Sequence, residues 1–408
     1  MSWLALVESN TTGSGRLFCR RARELGLRPA VLARDPDRYP YLVTDRIDIR
    51  QVDTTDPAAV QAACAGLGGP VAGVTSSSEY SIATASEVAR ALGLPHPDPA
   101  AIRACRDKAH QRARLRDAGV PGAEFAAART VAEAVAAAGR IGYPVVVKPI
   151  AGSGSIATVW CPDPASVAAA AGAVLAAAPG ALALPPQDAV VVEEYLPGPE
   201  FSVETFDEQV IGVTGKLLGP RPRFVEIGHD FPAPVDPAVR DALARTAVAA
   251  LRGLGLGWGP AHVELRLTPA GPRLVEVNPR LAGGMIPRMV QEATGVDLIR
   301  QTVARAAGRA GPLRPDRDRA AAIRFLVAET SGWLMEVCGV AAAREVPGVV
   351  EVGLTSKPGR PVVLRGSFQD RLGYVIAAGD EVGAAARAAS AGRLALTARI
   401  VPGPDDRG

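Results

Sequence analysis

Runs of four or five apolar residues recur through the first hundred positions, each followed by a stretch in which apolar residues return every three or four. That pattern predicts strands at 4–7, 29–33 and 71–75 and helices at 15–25 and 58–65, the first helix closed by Gly26. Strand–helix alternation builds a doubly wound parallel sheet, of Rossmann-like type, whose ligands collect at the C-terminal strand ends. Those ends are residues 8–15 and 75–79. Gly13 and Gly15 invite a dinucleotide reading, but Phe18 stands where a third glycine belongs and no acid clearly ends the second strand, so that reading is set aside.

Pro95, Pro97 and Pro99 mark a boundary, followed by a helix rich in basic residues over 100–118. Residues 125–196 read as helix, strand 145–148, Gly-rich turn, strand 157–160, Ala-rich helix 164–178 and strand 189–193. Strands 201–205 and 210–214, a helix 237–251 and strands 261–267 and 273–277 follow. The Gly/Arg/Pro stretch 308–319 reads as a linker, and beyond it lies a smaller α+β unit with strands near 322–328, 348–355 and 362–365. Four segments are expected: 1–99, 100–205, 206–307 and 308–408.

Composition narrows the possibilities. With 48% hydrophobic and 21% charged residues the chain is an ordinary globular one, which excludes disorder. Lys+Arg 45 against Asp+Glu 42 is too balanced for a protein that coats nucleic acid or an anionic membrane. Five widely spaced Cys without a C-x-x-C pair suit reduced thiols better than a disulfide framework or zinc cluster. The start, MSWLALVESN, has no basic region or cleavage site. The charge-poor stretch 165–184 is Ala-rich and broken by Pro179-Gly180, which argues against a membrane span. A cytoplasmic protein is expected.

Candidate chemistry concentrates in four places. The sequence VELRLTPAGPRLVEVN (263–278), folded as a hairpin centred on Ala270, sets Glu264 opposite Glu276, with Asn278 on the same face. Facing carboxylates repel unless a cation lies between them, and oxygen-only ligands suit a hard ion such as Mg²⁺. An apolar strand ends in Lys148, directly before the small-residue loop Gly152-Ser153-Gly154-Ser155, which could close over a phosphate. Lys108 lies on the basic helix. Strand 190–196 runs through Glu193, Glu194, Tyr195 and Leu196 into Pro197-Gly198-Pro199-Glu200 and offers a backbone edge to a purine. Alone, each has an ordinary explanation: a solvated hairpin, a plain turn, a surface lysine, a strand end.

In this order the residues resemble the ATP-grasp superfamily over roughly 100–300, with a compatible Rossmann-like domain before it and a biotin-carboxylase-like α+β subdomain after it. GPEFSVE (198–204) and EVNPRLAGGMIP (276–287) look like the bacterial L-amino-acid ligases. The biotin carboxylase Gly-rich loop is absent, since this chain has AGSGS, which argues against bicarbonate chemistry.

The resemblance implies that Lys108 and Lys148 bind the phosphates of ATP and that the loop Gly152, Ser153, Gly154, Ser155 covers them. Glu193, Glu194, Tyr195 and Leu196 would hold adenine and Glu200 the ribose. Glu264, Glu276 and Asn278 would hold Mg²⁺ (or Mn²⁺), and Arg280 would stabilise the oxyanion, with Lys148 and His229 also catalytic. Gly283, Gly284 and Met285 would line an amino-acid pocket, and Glu79, Lys216 and His229 would face the substrates. The implied enzyme is an ADP-forming carboxylate–amine ligase joining two amino acids through an acyl phosphate. The expected partners are small-molecule carboxylates and amines, not nucleic acid or membrane, in a homodimer. Ligation of a non-amino-acid carboxylate or unusual amine, or non-catalytic ATP binding, are the alternatives.

Overall fold

The computed structural model describes residues 1–10, 14–178 and 187–402. Gly13, the Pro179-Gly180 break and the tail from Gly403 lie outside the described residues. Strands Trp3–Val7, Arg28–Ala33, Asp48–Gln51 and Val71–Thr75 make the expected parallel sheet, with Trp3–Val7 between Arg28–Ala33 and Val71–Thr75. All five residues of Trp3–Val7 are buried because both faces are covered. Leu4 and Leu6 meet Phe18 and Val303 on one side; Trp3, Ala5 and Val7 meet Val60 and Val88 on the other. Asp48–Gln51 escaped the sequence pattern because its only large apolar residue is Ile49.

The basic helix expected over 100–118 is two helices, Pro99–Ala104 and Lys108–Asp117. Asp107 makes the break: its carboxylate accepts a 2.8 Å hydrogen bond from the His110 amide, capping the second helix. Lys108 is therefore a first-turn residue, and it is buried.

A four-stranded antiparallel lid sheet follows, in the order Phe125–Ala128, Val190–Glu194, Val145–Pro149, Val159–Cys161. Helices Val131–Ile141 and Pro164–Leu175 cover it through Ala134, Ala138, Val167 and Ala171.

The central sheet has eight antiparallel strands, in the order Gly271–Asn278, Pro260–Thr268, Glu200–Phe206, Gln209–Leu218, Glu226–Phe231, Ala320–Val327, Arg371–Gly379, Val349–Leu354. Glu200–Phe206 belongs to this sheet, so by sheet membership the lid ends ahead of 205. Three strands of the C-terminal region extend the central sheet. Only Gly332–Cys338, Arg360–Val362 and Thr397–Val401 form a small sheet of their own.

Side chains alternate across the first strands of this sheet. Phe201, Val203, Val213, Val263 and Leu265 pack against Leu243, Ala247 and Leu251 of helix Pro237–Leu254. The opposite face carries Glu200, Ser202, Glu204, Lys216, His262 and Glu264, whose registry pairs Glu264 with Ser202, His262 with Glu204 and Lys216 with Glu200. One face is thus core and the other the polar floor of a cleft. Leu265 is fully buried beneath that floor. Leu265→Ala is expected to cost about 2–5 kcal/mol by urea unfolding; a loss well under that range would mean the helix collapses onto the gap.

Candidate active site

The hairpin that carries the two acids turns one half-residue earlier than expected. Thr268 pairs with Gly271 and Arg266 with Arg273, a register that would leave Glu264 facing Val275. A bulge in the 271–278 strand between the Leu274 and Glu276 pairings absorbs one residue and restores Glu264 opposite Glu276, with His262 opposite Asn278.

The cleft between lid sheet and polar floor gathers most of the candidates. Lys108, Lys148, Gly152–Ser155, Glu193, Glu194, Tyr195, Leu196, Glu200, Glu264, Glu276, Asn278 and Arg280 all line it. Lys108 Nζ donates to the Gly152 carbonyl at 2.7 Å and lies 2.8 Å from Glu276 Oε1. Glu264 Oε1 is 3.0 Å from Lys216 Nζ. The repulsion argued from the sequence is relieved by a separate protein cation at each acid.

Lys148 Nζ sits 2.5 Å from Glu193 Oε2. Burial pushes the Lys148 ammonium below its ordinary value while Glu193 opposes that. Burial would raise the Glu193 carboxyl, but Arg112 and Lys148 together hold it below the usual carboxylate range. The Glu193 side chain is therefore an internal counter-ion, so only its backbone is left to meet a base.

Glu200 accepts from Arg266 Nε and Nη2 at 3.1 and 3.0 Å and pairs with Lys216 at 2.8 Å. Tyr195 lies between two guanidiniums, Arg221 at 4.8 Å and Arg266 at 5.4 Å from its ring.

Glu79 reaches the cleft rim from the N-terminal domain. It accepts from Arg280 Nε at 2.7 Å, from the Ser153 hydroxyl, and has Arg106 at 3.7 Å. Burial alone would raise its pKa, but Arg280, Arg106 and the hydroxyl bring it down to about 2. The carboxylate is consequently ionised above that pH, and it ties the Gly/Ser loop to the first domain.

Expectations for Lys216 and His229 change in the structure. Lys216 was expected to face substrate. Its side chain is 2% exposed and committed to Glu200, Glu226 and Glu264, so it cannot reach out. His229 has no exposed surface and does not border the cleft, and neither ring nitrogen has a hydrogen-bond partner among the described residues. Burial lowers its pKa to about 3 despite Glu226, so the ring is neutral near pH 7. Gly284 covers it: a Cβ there would lie 2.8 Å from His229 Nε2, and the backbone has φ +57°. Gly283, Gly284 and Met285 likewise stand outside the lining of this cleft. Gly284→Ala is expected to cost about 1–3 kcal/mol, read by chemical denaturation; unchanged stability would show that the histidine ring can move aside.

Sequence reasoning missed several lining residues. Val146 lies two positions before Lys148 and lines the same cleft, a period-two signal that was available, whereas Leu274 precedes the bulge that breaks this period ahead of Glu276. Ile156 and Phe224 come from irregular segments that carry no such signal. Arg112 and Glu226 act through partners distant in sequence, beyond the reach of local pattern.

Glu264, Glu276 and Asn278 offer side-chain oxygens, and no nitrogen or sulfur ligand, on one wall. Among the described residues no group of three or more His, Cys, Asp or Glu forms a complete metal cage. The set fits a hard divalent ion whose remaining positions are filled by phosphate oxygens and water.

A lid sheet over a polar sheet face, with lysines and acids lining the cleft between them, is the arrangement of the ATP-grasp class. The ATP-grasp domain model matches residues 141–288, and the L-amino acid ligase C-terminal domain 2 model matches 324–401. The chain belongs to the ATP-grasp ligase family and carries the C-terminal domain of the L-amino acid ligases. It is 39% identical to the uncharacterized protein y4rH of Sinorhizobium fredii over 92% of this chain and 78% of that protein. It is 37% identical to carnosine synthase 1 of Gallus gallus over 32% of this chain, a stretch covering 14% of that longer protein. The L-amino acid ligase of Bacillus licheniformis superposes with a TM-score of 0.81 at 21% identity, covering 98% of this chain and 99% of the other. Among the described residues no helix is long and apolar enough to cross a membrane.

Proposed function

We propose that the chain joins a carboxylate to an amine, most simply two amino acids, with conversion of ATP to ADP and phosphate. The observation that carries this reading is the convergence of Glu264, Glu276, Asn278, Lys108, Lys148 and Arg280 on one cleft.

Lys108 and Lys148 would act as point charges for the phosphates. Glu193 fixes the position of Lys148, and Val146, Ile156 and Leu274 offer apolar surface to a base. Glu200, already oriented by Arg266 and Lys216, would accept from ribose hydroxyls. The loop Gly152–Ser155 would exclude water from the transfer. Glu264, Glu276 and Asn278 would hold Mg²⁺ or Mn²⁺, which when bound neutralises charge on the migrating phosphoryl group.

A substrate carboxylate oxygen attacks the γ-phosphorus, giving an acyl phosphate and releasing ADP. The amine then attacks the acyl carbon, the C–O bond to phosphate breaks, and the amine loses a proton. Arg280 lies beside Asn278, its Nη2 3.4 Å from Asn278 Oδ1, where it can meet the tetrahedral oxyanion. Glu79, ionised and at the rim, suits a substrate ammonium. Gly283, whose Cβ direction is open, would leave room for a substrate side chain beyond the rim.

ADP release measured with Mg·ATP and a pairwise panel of amino acids tests the proposal. Release with particular pairs, accompanied by the mass of the amide, is expected. Binding of ATP without ADP release for any pair would favour a non-catalytic ATP-binding role.

A further inference from the structure

The mechanism leaves unused a buried polar chain on the floor of the sheet. Ser202, Glu204, His262 and Glu264 occupy a two-by-two patch on neighbouring strands, and Ser202, Glu204 and His262 are all buried. Ser202 Oγ donates to Glu204 Oε1 at 2.7 Å. His262 Nδ1 lies 3.0 and 3.1 Å from the two Glu204 oxygens, and its Nε2 lies 3.0 Å from Glu264 Oε1. A carboxylate only accepts, so with acids at both nitrogens the ring donates from both.

Lys216 Nζ donates to that same Glu264 Oε1 at 3.0 Å. Two donors, from different strands and each anchored by other acids, thus converge on one oxygen of Glu264. Neither of these bonds engages Oε2. Glu264 also stands at the point where the bulge restores its pairing with Glu276, so its backbone position and its side-chain rotamer are set independently.

We propose that Glu204 and His262 form a positioning dyad which, with Lys216, pins Oε1 of Glu264 and presents Oε2 alone to the divalent ion. This rests on the assignment of Glu264 as a metal ligand made above. His262 touches neither nucleotide nor substrate in this scheme; it acts through Glu264. Outer-sphere partners of this kind typically change metal affinity by about 10–100-fold when removed.

The test reads metal binding, not ligation, so a wrong choice of amino-acid substrates cannot obscure it. Mn²⁺ binding in the presence of saturating ADP is titrated by electron paramagnetic resonance, and ADP binding without metal is titrated by calorimetry. His262→Asn, too short to reach Glu264, is expected to weaken Mn²⁺ binding by about 10–100-fold while leaving metal-free ADP affinity within about twofold. His262→Gln, whose amide nitrogen can approach the Nε2 position, is expected to recover part of the loss. Glu204→Gln removes the dyad's charge while keeping an acceptor for Nδ1, and should weaken Mn²⁺ in the same direction if the histidine variants do not fold. Unchanged Mn²⁺ affinity in a folded His262→Asn or Glu204→Gln protein overturns the proposal. So does an equal loss of Mn²⁺ and metal-free ADP affinity, since that marks a general distortion of the floor.

Discussion

Glu276→Gln is expected to lower the rate of ADP formation by about 10²–10³-fold while leaving the unfolding midpoint close to that of the parent chain. The substitution conserves volume and the pairing opposite Glu264, so the strand stays in place. What disappears is the charge that the cleft offers to a divalent ion and, in the structure described here, to Lys108. Lys108 keeps its bond to the Gly152 carbonyl and so remains near the loop. Steady-state ADP release alongside thermal unfolding separates the two readouts. Near-normal turnover would mean that the ion is held elsewhere.

Arg280→Met should act on a different step. The guanidinium is buried, and although burial alone would lower its pKa, Glu79 raises it, so it is a permanent cation. Removing it takes away the charge proposed to meet the oxyanion, and amide formation is expected to fall by about 10²–10³-fold. The nucleotide phosphates retain Lys108 and Lys148, so the KM for ATP should move little. Hydrolytic ADP release should survive better than amide formation, and the ratio of amide to ADP should drop. An equal loss of ATP affinity and coupling would reject the oxyanion role and leave Arg280 as a support for Glu79. The surviving Arg106 near Glu79 limits the structural damage, because the carboxylate is not left without a cation.

The parts of this molecule legible in the sequence are those whose signal is local. An unbroken apolar run marked the strand ending in Lys148, alternation marked the hairpin bearing Glu264 and Glu276, and the order of these pieces identified the superfamily. The N-terminal sheet was legible in its three strands Trp3–Val7, Arg28–Ala33 and Val71–Thr75, which read as apolar runs. Misreadings arose where a polar side chain does structural work at a distance. Asp107 divides the basic helix by capping its second half, although the flanking composition is uniformly helical. Strand Glu226–Phe231 was missed because its sequence, EIGHDF, carries Glu226 and Asp230 to pair with Lys216 and Arg324 on other strands and buries His229 between them. The same effect misplaced Lys216 and His229. A lysine and a histidine in a cleft-forming domain suggested contact with substrate, yet one pairs with three acids of the floor and the other is sealed under Gly284. The carboxylate of Glu193 is claimed by Lys148 and Arg112, a pairing that the hinge sequence does not announce. Burial and long-range pairing decided each of these, and neither has a local pattern.

The phosphoryl step itself admits a direct measurement. With a carboxylate substrate labelled by ¹⁸O in both carboxyl oxygens, Mg·ATP and the partner amine, the released inorganic phosphate is collected and weighed by mass spectrometry. Attack of the carboxylate on the γ-phosphorus predicts one labelled oxygen carried into each phosphate and the other retained in the amide. Unlabelled phosphate, or label appearing in AMP, would contradict activation of the carboxylate as an acyl phosphate in this cleft.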